Sequence, residues 1–206
     1  FREVEDNYLS STESSPLKNQ RILVTRSRHQ QSSLYDPLHA LGAKVIAVPL
    51  IELKSIEDPS YSGVYANLQR YDWIVFTSVN AIEFFEKALR RSAQDLNAIQ
   101  HCKIACVGPI TAKKLSDYQL IADLVPETYV AEGLMESFSH LSMGGQHVLL
   151  PRAETARDVL PNALTAQGAN VQVVPIYRTA HASVSKKDAA QLNARDLDAV
   201  TFTSSS

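Results

Sequence analysis

The sequence is poor in several features, and each scarcity narrows what the chain can be. Its two cysteines, Cys102 and Cys106, sit in or beside the apolar stretch Lys103–Val107. No His or Cys elsewhere completes a zinc-like spacing, so both read as buried core thiols. Seven glycines are too few for a glycine-rich loop protein. No Walker-type phosphate loop, G-x-G-x-x-G, G-x-S-x-G or H-E-x-x-H occurs, which disfavours ATP-dependent, dinucleotide-dependent, esterase and zinc-protease chemistry. The six histidines are scattered, and no cofactor and no metal are expected. No apolar run approaches the ~20 residues that cross a bilayer, and no basic-then-apolar leader opens the chain, so a cytoplasmic protein without a membrane partner is expected. A net charge of -2 argues against a nucleic-acid partner held by a general basic field. An anionic small molecule remains allowed.

A hydrophobic fraction of 45% against 20% charged supports one sizeable core or two small ones. Residues 1–20 are polar and carry the run Ser10 to Ser15 before Pro16, a composition too poor in apolar surface to offset ordering entropy. They read as a linker or tail. From Arg21 onward, short apolar runs alternate with amphipathic stretches of helical length, the signature of strands and helices in a parallel sheet. Strands are expected at 22–25, 45–50, 73–77, 103–107, 147–150, 171–176 and 199–203. Helices are expected at 32–41 and 158–167, each closed by a glycine, Gly42 and Gly168, placed where a helix C-terminus favours positive φ. Asn80 and Glu83 have capping-box spacing after the third strand.

The chain repeats itself. At an offset of 126 residues, and without a gap, Leu23, Arg26, Leu34, Leu38, Gly42, Val45 and Pro49 meet Leu149, Arg152, Leu160, Leu164, Gly168, Val171 and Pro175. At the same offset Asp72, Phe76, Thr77 and Ser78 meet Asp198, Phe202, Thr203 and Ser204. A strand, helix, glycine and strand in register is the mark of a duplicated α/β unit. Only residues 148–206 of the second copy are present, and the chain starts at Phe1 and ends in serines directly after a strand-like run. A fragment of a longer protein is therefore expected, poorly active by itself.

In open parallel sheets ligands bind outside the carboxyl ends of strands, where helix N-termini present unpaired N–H groups. Polar residues directly follow the apolar runs here: Thr25-Arg26, Thr77-Ser78 with Asn80, Thr111 after Gly108-Pro109, Arg152 after Pro151, and Thr203-Ser204. Such positions offer amide and hydroxyl donors plus a few cations, suited to carboxylates or phosphates. The plainer alternative is that the hydroxyl and amide residues only cap helices. Arg26 and Arg152 are equivalent across the duplication, which favours a shared role. Arg157, Arg28, Lys113 and Lys114 are weaker candidates, because long cations are frequent on solvated helix faces. Pro49 and Pro175 cannot donate to a ladder, which places them at an edge or in a crossover between domains. If the chain leaves a first domain through 45–53 and returns through 171–179, a double connection with a hinge and a cleft results. Tyr177 breaks the repeat, since its counterpart is Ile51. A phenol there either donates a hydrogen bond to a leaving hydroxyl or packs its ring locally.

Taken together, Ile22 to Arg26, Val48 to Ile51, Tyr71 to Ser78, Val107 to Ala112, Leu150 to Arg152, Val174 to Thr179 and Phe202 to Ser204 give the chain from 21 to 206 a likeness. It resembles the uroporphyrinogen-III synthases. The resemblance implies an α/β fold of two similar domains with parallel sheets flanked by helices, joined by a two-stranded linker. Domain 1 would be discontinuous and incomplete, 21–48 with 179–206, and domain 2 would be 49–178. It implies a lyase that closes hydroxymethylbilane to uroporphyrinogen III with inversion of ring D, without a cofactor, in haem and sirohaem formation. On that reading Tyr177 assists departure of the terminal hydroxyl, while Arg26, Thr77, Ser78, Asn80, Thr111, Arg152, Arg157, Thr203 and Ser204 surround the polycarboxylate substrate. Many relatives carry a basic residue where this chain has Asn80. A fusion to, or functional link with, uroporphyrinogen methyltransferase or hydroxymethylbilane synthase is a further expectation. The rival reading is a non-catalytic two-lobed binding or regulatory module for an anionic small molecule.

Overall fold

A computed structural model of the chain describes residues 15–26, 32–191 and 197–201. By contact density the chain divides into two compact units, one formed up to Glu52 and from Ala180, the other from Leu53 to Thr179. Two strands carry the chain across that division: β3 (Ile51–Ser55) and β7 (Asn170–His181). Among the described residues no helix is long and apolar enough to cross a membrane.

The first unit holds a parallel sheet of β1 (Arg21–Val24), β2 (Lys44–Ala47) and β8 (Ala199–Thr201), ordered β2-β1-β8. Helix α1 (Ser32–Ala40) connects β1 to β2. Leu23, Ile46 and Val48 form its small core. Of the polar stretch at the start, residues 15–20 form turns attached to this unit: the Leu17 N–H donates to the Leu41 carbonyl at 3.0 Å and the Lys44 N–H to the Gln20 carbonyl at 2.8 Å.

The second unit holds the larger sheet, in the order β3-β7-β6-β4-β5, with β4 (Trp73–Phe76), β5 (Lys103–Cys106) and β6 (His147–Ala153). The β4–β5, β4–β6 and β6–β7 pairs are parallel. Every residue of β4 is buried, as expected where helices cover both faces of a parallel sheet. The two-residue period of the strands divides the core in two. Ile74, Phe76, Ile104, Cys106 and Leu149 face one cluster, which is filled by α3 (Val79–Arg91) and α4 (Pro109–Ser116) through Ile82, Phe85, Leu89 and Leu115. Trp73, Val75, Ala105, Val148 and Leu150 face the other, filled by α5 (Ala131–Ser139) and α6 (Val159–Ala166) through Leu134, Phe138, Leu160 and Leu164. Each large side chain so buried contributes roughly 1.5–3 kcal/mol.

The duplication survives at the level of register. Ile22 pairs with Val45 and Val148 with Val171; Ile22 pairs with Ala199 and Val148 with Trp73. Both sets keep the same offset of 126 residues in every partner. Gly42 and Gly168 have φ of +90° and +86°, the left-handed closure that only glycine adopts without strain.

Three local expectations need correction. The run expected as one strand through residue 50 is broken: β2 ends at Ala47 and β3 starts at Ile51, with Pro49, which has no N–H, in the gap. Of the two places expected for Pro175, the edge strand is excluded, because β7 sits between β3 and β6, whereas the crossover agrees with β7 carrying the chain from one unit to the other. The proline is tolerated beside a bulge: Arg152 faces Pro175, but Ala153 faces Tyr177, and bulges are where a sheet admits proline. Finally, Asn80 is not the cap of α3. Ser78 is, its Oγ accepting from the Ala81 N–H at 3.1 Å.

Candidate functional site

The polar residues of the second unit gather at the carboxyl ends of β4 and β6 and beside the bulge within β7. Ser78 leaves β4 in an extended conformation and caps α3. Its Oγ also lies 3.2 Å from the phenolic oxygen of Tyr177. The bulge aims Tyr177 there. Ordinary alternation would turn two consecutive strand residues to opposite faces, yet Val174, Ile176 and Tyr177 all pack in the same cluster, because the extra residue re-aims the strand. The Tyr177 ring is 7% exposed and stacks on Phe84 of α3, with ring centroids 5.0 Å apart and planes 19° apart. A hydroxyl has one hydrogen and two acceptor sites. Ser78 can therefore accept from Ala81 and still donate to Tyr177, leaving the tyrosine hydrogen free to donate elsewhere.

A second cluster lies at the end of β6. Arg152 is buried, and its guanidinium donates to the Arg157 carbonyl at 2.8 Å and pairs with the Asp158 carboxylate. Asp158 begins α6 without capping it through its side chain, since that carboxylate is engaged by the arginine. Arg157 is exposed and pairs with Glu132 of α5 at 3.0 Å. The Glu132 backbone N–H, and then Arg157, hold the Glu132 carboxyl below its usual range. Thr77, Ala131, Arg152 and Arg157 line a small cavity of about 100 Å³ with apolar neighbours from α6. Arg152 is thus a fixed cation holding the loop into α6, and Arg157 is the more accessible of the two.

Thr77, Ser78, Arg152, Arg157 and Tyr177 therefore fall into two small clusters. Asn80 is half-buried in the first turn of α3, and Thr111 is buried in the first turn of α4. Arg26 follows β1 in the first unit, where the Thr25 hydroxyl donates to the Thr201 carbonyl at 3.0 Å. Thr203 and Ser204 lie outside the described residues. Sequence reasoning missed Phe84, whose helical spacing marks only a core face, and the acidic partners Glu132 and Asp158. Asp158, six residues beyond Arg152, was the more readable signal.

The profile of the family described as uroporphyrinogen-III synthase HemD matches residues 32–206. The chain belongs to the uroporphyrinogen-III synthase family. The uroporphyrinogen-III synthase of Synechococcus elongatus is 35% identical over 196 residues, spanning 92% of this chain and 72% of that protein. The porphyrin biosynthesis protein HemD of Ruminiclostridium josui is 32% identical over 93% of this chain, which accounts for 38% of that longer protein. Among solved structures, a mutant uroporphyrinogen III synthase of Thermus thermophilus superposes with a TM-score of 0.61 at 18% identity, covering 88% of this chain and 71% of its own. The Helicobacter pylori synthetase gives 0.58 at 18% identity, covering 84% and 68%. These two establish a shared α/β fold. All four are named for uroporphyrinogen-III synthase or for porphyrin biosynthesis, and the rival reading gains no support from them.

Proposed function

We propose that this uroporphyrinogen-III synthase family chain closes hydroxymethylbilane to uroporphyrinogen III with Tyr177 as the acid that assists loss of the terminal hydroxyl. The observation that carries this reading is the Tyr177 phenol held 3.2 Å from Ser78 Oγ, at a repeat position where the other copy has Ile51. In the first step the pyrrole nitrogen lone pair pushes out the hydroxyl, which takes the phenolic proton and leaves as water. The carbon–oxygen bond breaks, and positive charge spreads over the pyrrole system. Ring closure through a spiro centre, then reopening and reclosure, inverts the last ring. Loss of a ring proton restores the phenol, so the net change is one water released.

An acid positioned for such a step contributes on the order of 10²–10⁴ in rate. Orientation of a flexible chain is the other requirement. In this proposal Thr77, Asn80, Thr111 and Arg157 take substrate carboxylates through hydroxyl, amide and guanidinium donors, together with Arg26, Thr203 and Ser204. Arg152 serves mainly by fixing the loop that presents Arg157, which its bonds to the Arg157 carbonyl and Asp158 support. We also propose domain limits of 21–48 with 179–206 and 49–178, and a cytoplasmic location for a small-molecule reaction of this kind.

The test is conversion of hydroxymethylbilane by the purified protein, with the isomers separated. Type III product above the spontaneous type I background is expected. A folded protein yielding type I alone would sink the proposal.

A further inference from the structure

A phenol that must deliver a proton along one direction has to be fixed in more than position. The phenolic O–H lies in the plane of its ring, so the orientation of that plane selects where the hydrogen can point. Ser78 fixes the oxygen at 3.2 Å. It does not fix the plane. Phe84 does: its ring is 5% exposed and lies 5.0 Å from the Tyr177 ring at an interplanar angle of 19°. Offset stacking of this kind stabilises a ring pair beyond the burial of its area, which prefers one ring orientation.

Ser78 and Phe84 also belong to the same element. Ser78 caps α3 and Phe84 stands in its second turn, so the cap that anchors the helix sets the distance between the group that holds the oxygen and the group that holds the ring. The bulge between Arg152 and Ala153 completes the arrangement by bringing Tyr177 into the cluster that contains Phe84. The geometry points to Phe84 as the positioning residue for the Tyr177 phenol, an inference that rests on the reading of Tyr177 as the proton donor. Phe84 touches no reacting atom in this scheme. Its effect passes through Tyr177.

The experiment is a double-variant cycle, with kcat and KM for type III formation measured beside thermal unfolding. Phe84→Leu is expected to lower kcat by about tenfold and leave KM within about twofold. Phe84→Tyr, which keeps the ring face, is expected to restore most of the loss. In a Tyr177→Phe background, Phe84→Leu is expected to have no further effect on kcat, because two groups acting as one unit are not additive. Losses that multiply in the double variant would overturn the assignment and leave Phe84 as core packing. An unchanged kcat in Phe84→Leu would do the same. If Tyr177→Phe alone keeps wild-type turnover, the reading of Tyr177 falls and this inference falls with it. Should Phe84→Leu not fold, Phe84→Met takes its place in the cycle, since it fills similar space without a ring face.

Discussion

The copy that begins at Arg21 and the copy that begins at His147 agree down to single hydrogen bonds. The Arg21 N–H donates to Asp198 Oδ2 at 2.7 Å, and the His147 N–H to Asp72 Oδ2 at 2.8 Å. The Asp198 N–H returns to the Arg21 carbonyl and the Asp72 N–H to the His147 carbonyl, both at 2.9 Å. The helix ends match too: Ala43 donates to Leu38 and Ala169 to Leu164, each at 3.1 Å. The copies part where backbone no longer decides. Leu38 is half-buried while Leu164 is fully buried. Ile51 is exposed at the start of β3 while Tyr177 is buried in mid-strand. Gly42 closes against Ser15, while Gly168 closes against Gly144. One backbone plan thus carries two different sets of side-chain contacts, and the candidate acid lies where the sets diverge.

Substitution in pairs can break or sharpen that comparison. The largest effect is expected from the helix leucines. Leu164→Ala should cost about 2–5 kcal/mol in chemical or thermal unfolding, whereas Leu38→Ala should cost about 1 kcal/mol, in proportion to its smaller burial. Equal losses would mean that the two cores are alike after all. Next comes Tyr177→Phe, expected to reduce kcat by about 100-fold with a smaller change in KM, while Ile51→Tyr leaves turnover where it was. Gain of activity from the latter would place the chemistry in either copy.

Glycine replacements should be milder and unequal. Alanine in left-handed backbone costs roughly 1–2 kcal/mol, so Gly168→Ala should lower unfolding stability by about that much. Gly42→Ala should lower it further, because a Cβ there would stand 2.6 Å from Ser15 Cβ. For the paired carboxylates, Asp72→Asn and Asp198→Asn should each lose about 1 kcal/mol, and a clear difference between them would contradict the equivalence of their bonds.

The smallest effect concerns a strand of one copy alone. Burial in and beside β5 pushes the Cys106 thiol up to about 12 and the Cys102 thiol to about 11. Both should therefore resist alkylation at neutral pH until the protein unfolds. An unfolded thiol ionises near pH 9 and the folded one does not, so stability is unaffected below that pH and falls as pH rises from about 9 toward 11. Unfolding midpoints across that range are the measurement. A flat profile would show that the thiols ionise alike in both states.

Much of the fold was readable beforehand. The apolar runs located seven of the described strands, and the offset of 126 residues carried the register of β1, β2 and β8 onto β6, β7 and β4. The separate strand β3 was not readable, since Val45 to Leu53 is nearly continuous in apolar character and Pro49 by itself does not show that the residues after it pair with β7 in the other sheet. The choice between Ser78 and Asn80 as cap also lay beyond the sequence, because both side chains can accept from a first-turn N–H. What decided it was where β4 ends. At the site, the polar strand ends were visible, but the clustering of Thr77 with Arg152 and Arg157 was not.

The sequence by itself determined the repeated strand, helix, glycine and strand, because these depend on local periodicity and on backbone angles that a few residue types set. Only the tertiary structure decided which side chains meet. Ser78 and Tyr177 are 99 residues apart, and they touch because a bulge beside Pro175 shifts a strand by one residue while a capped helix brings Phe84 beneath the ring. Contacts of that separation depend on how whole elements pack, and no window of sequence contains them.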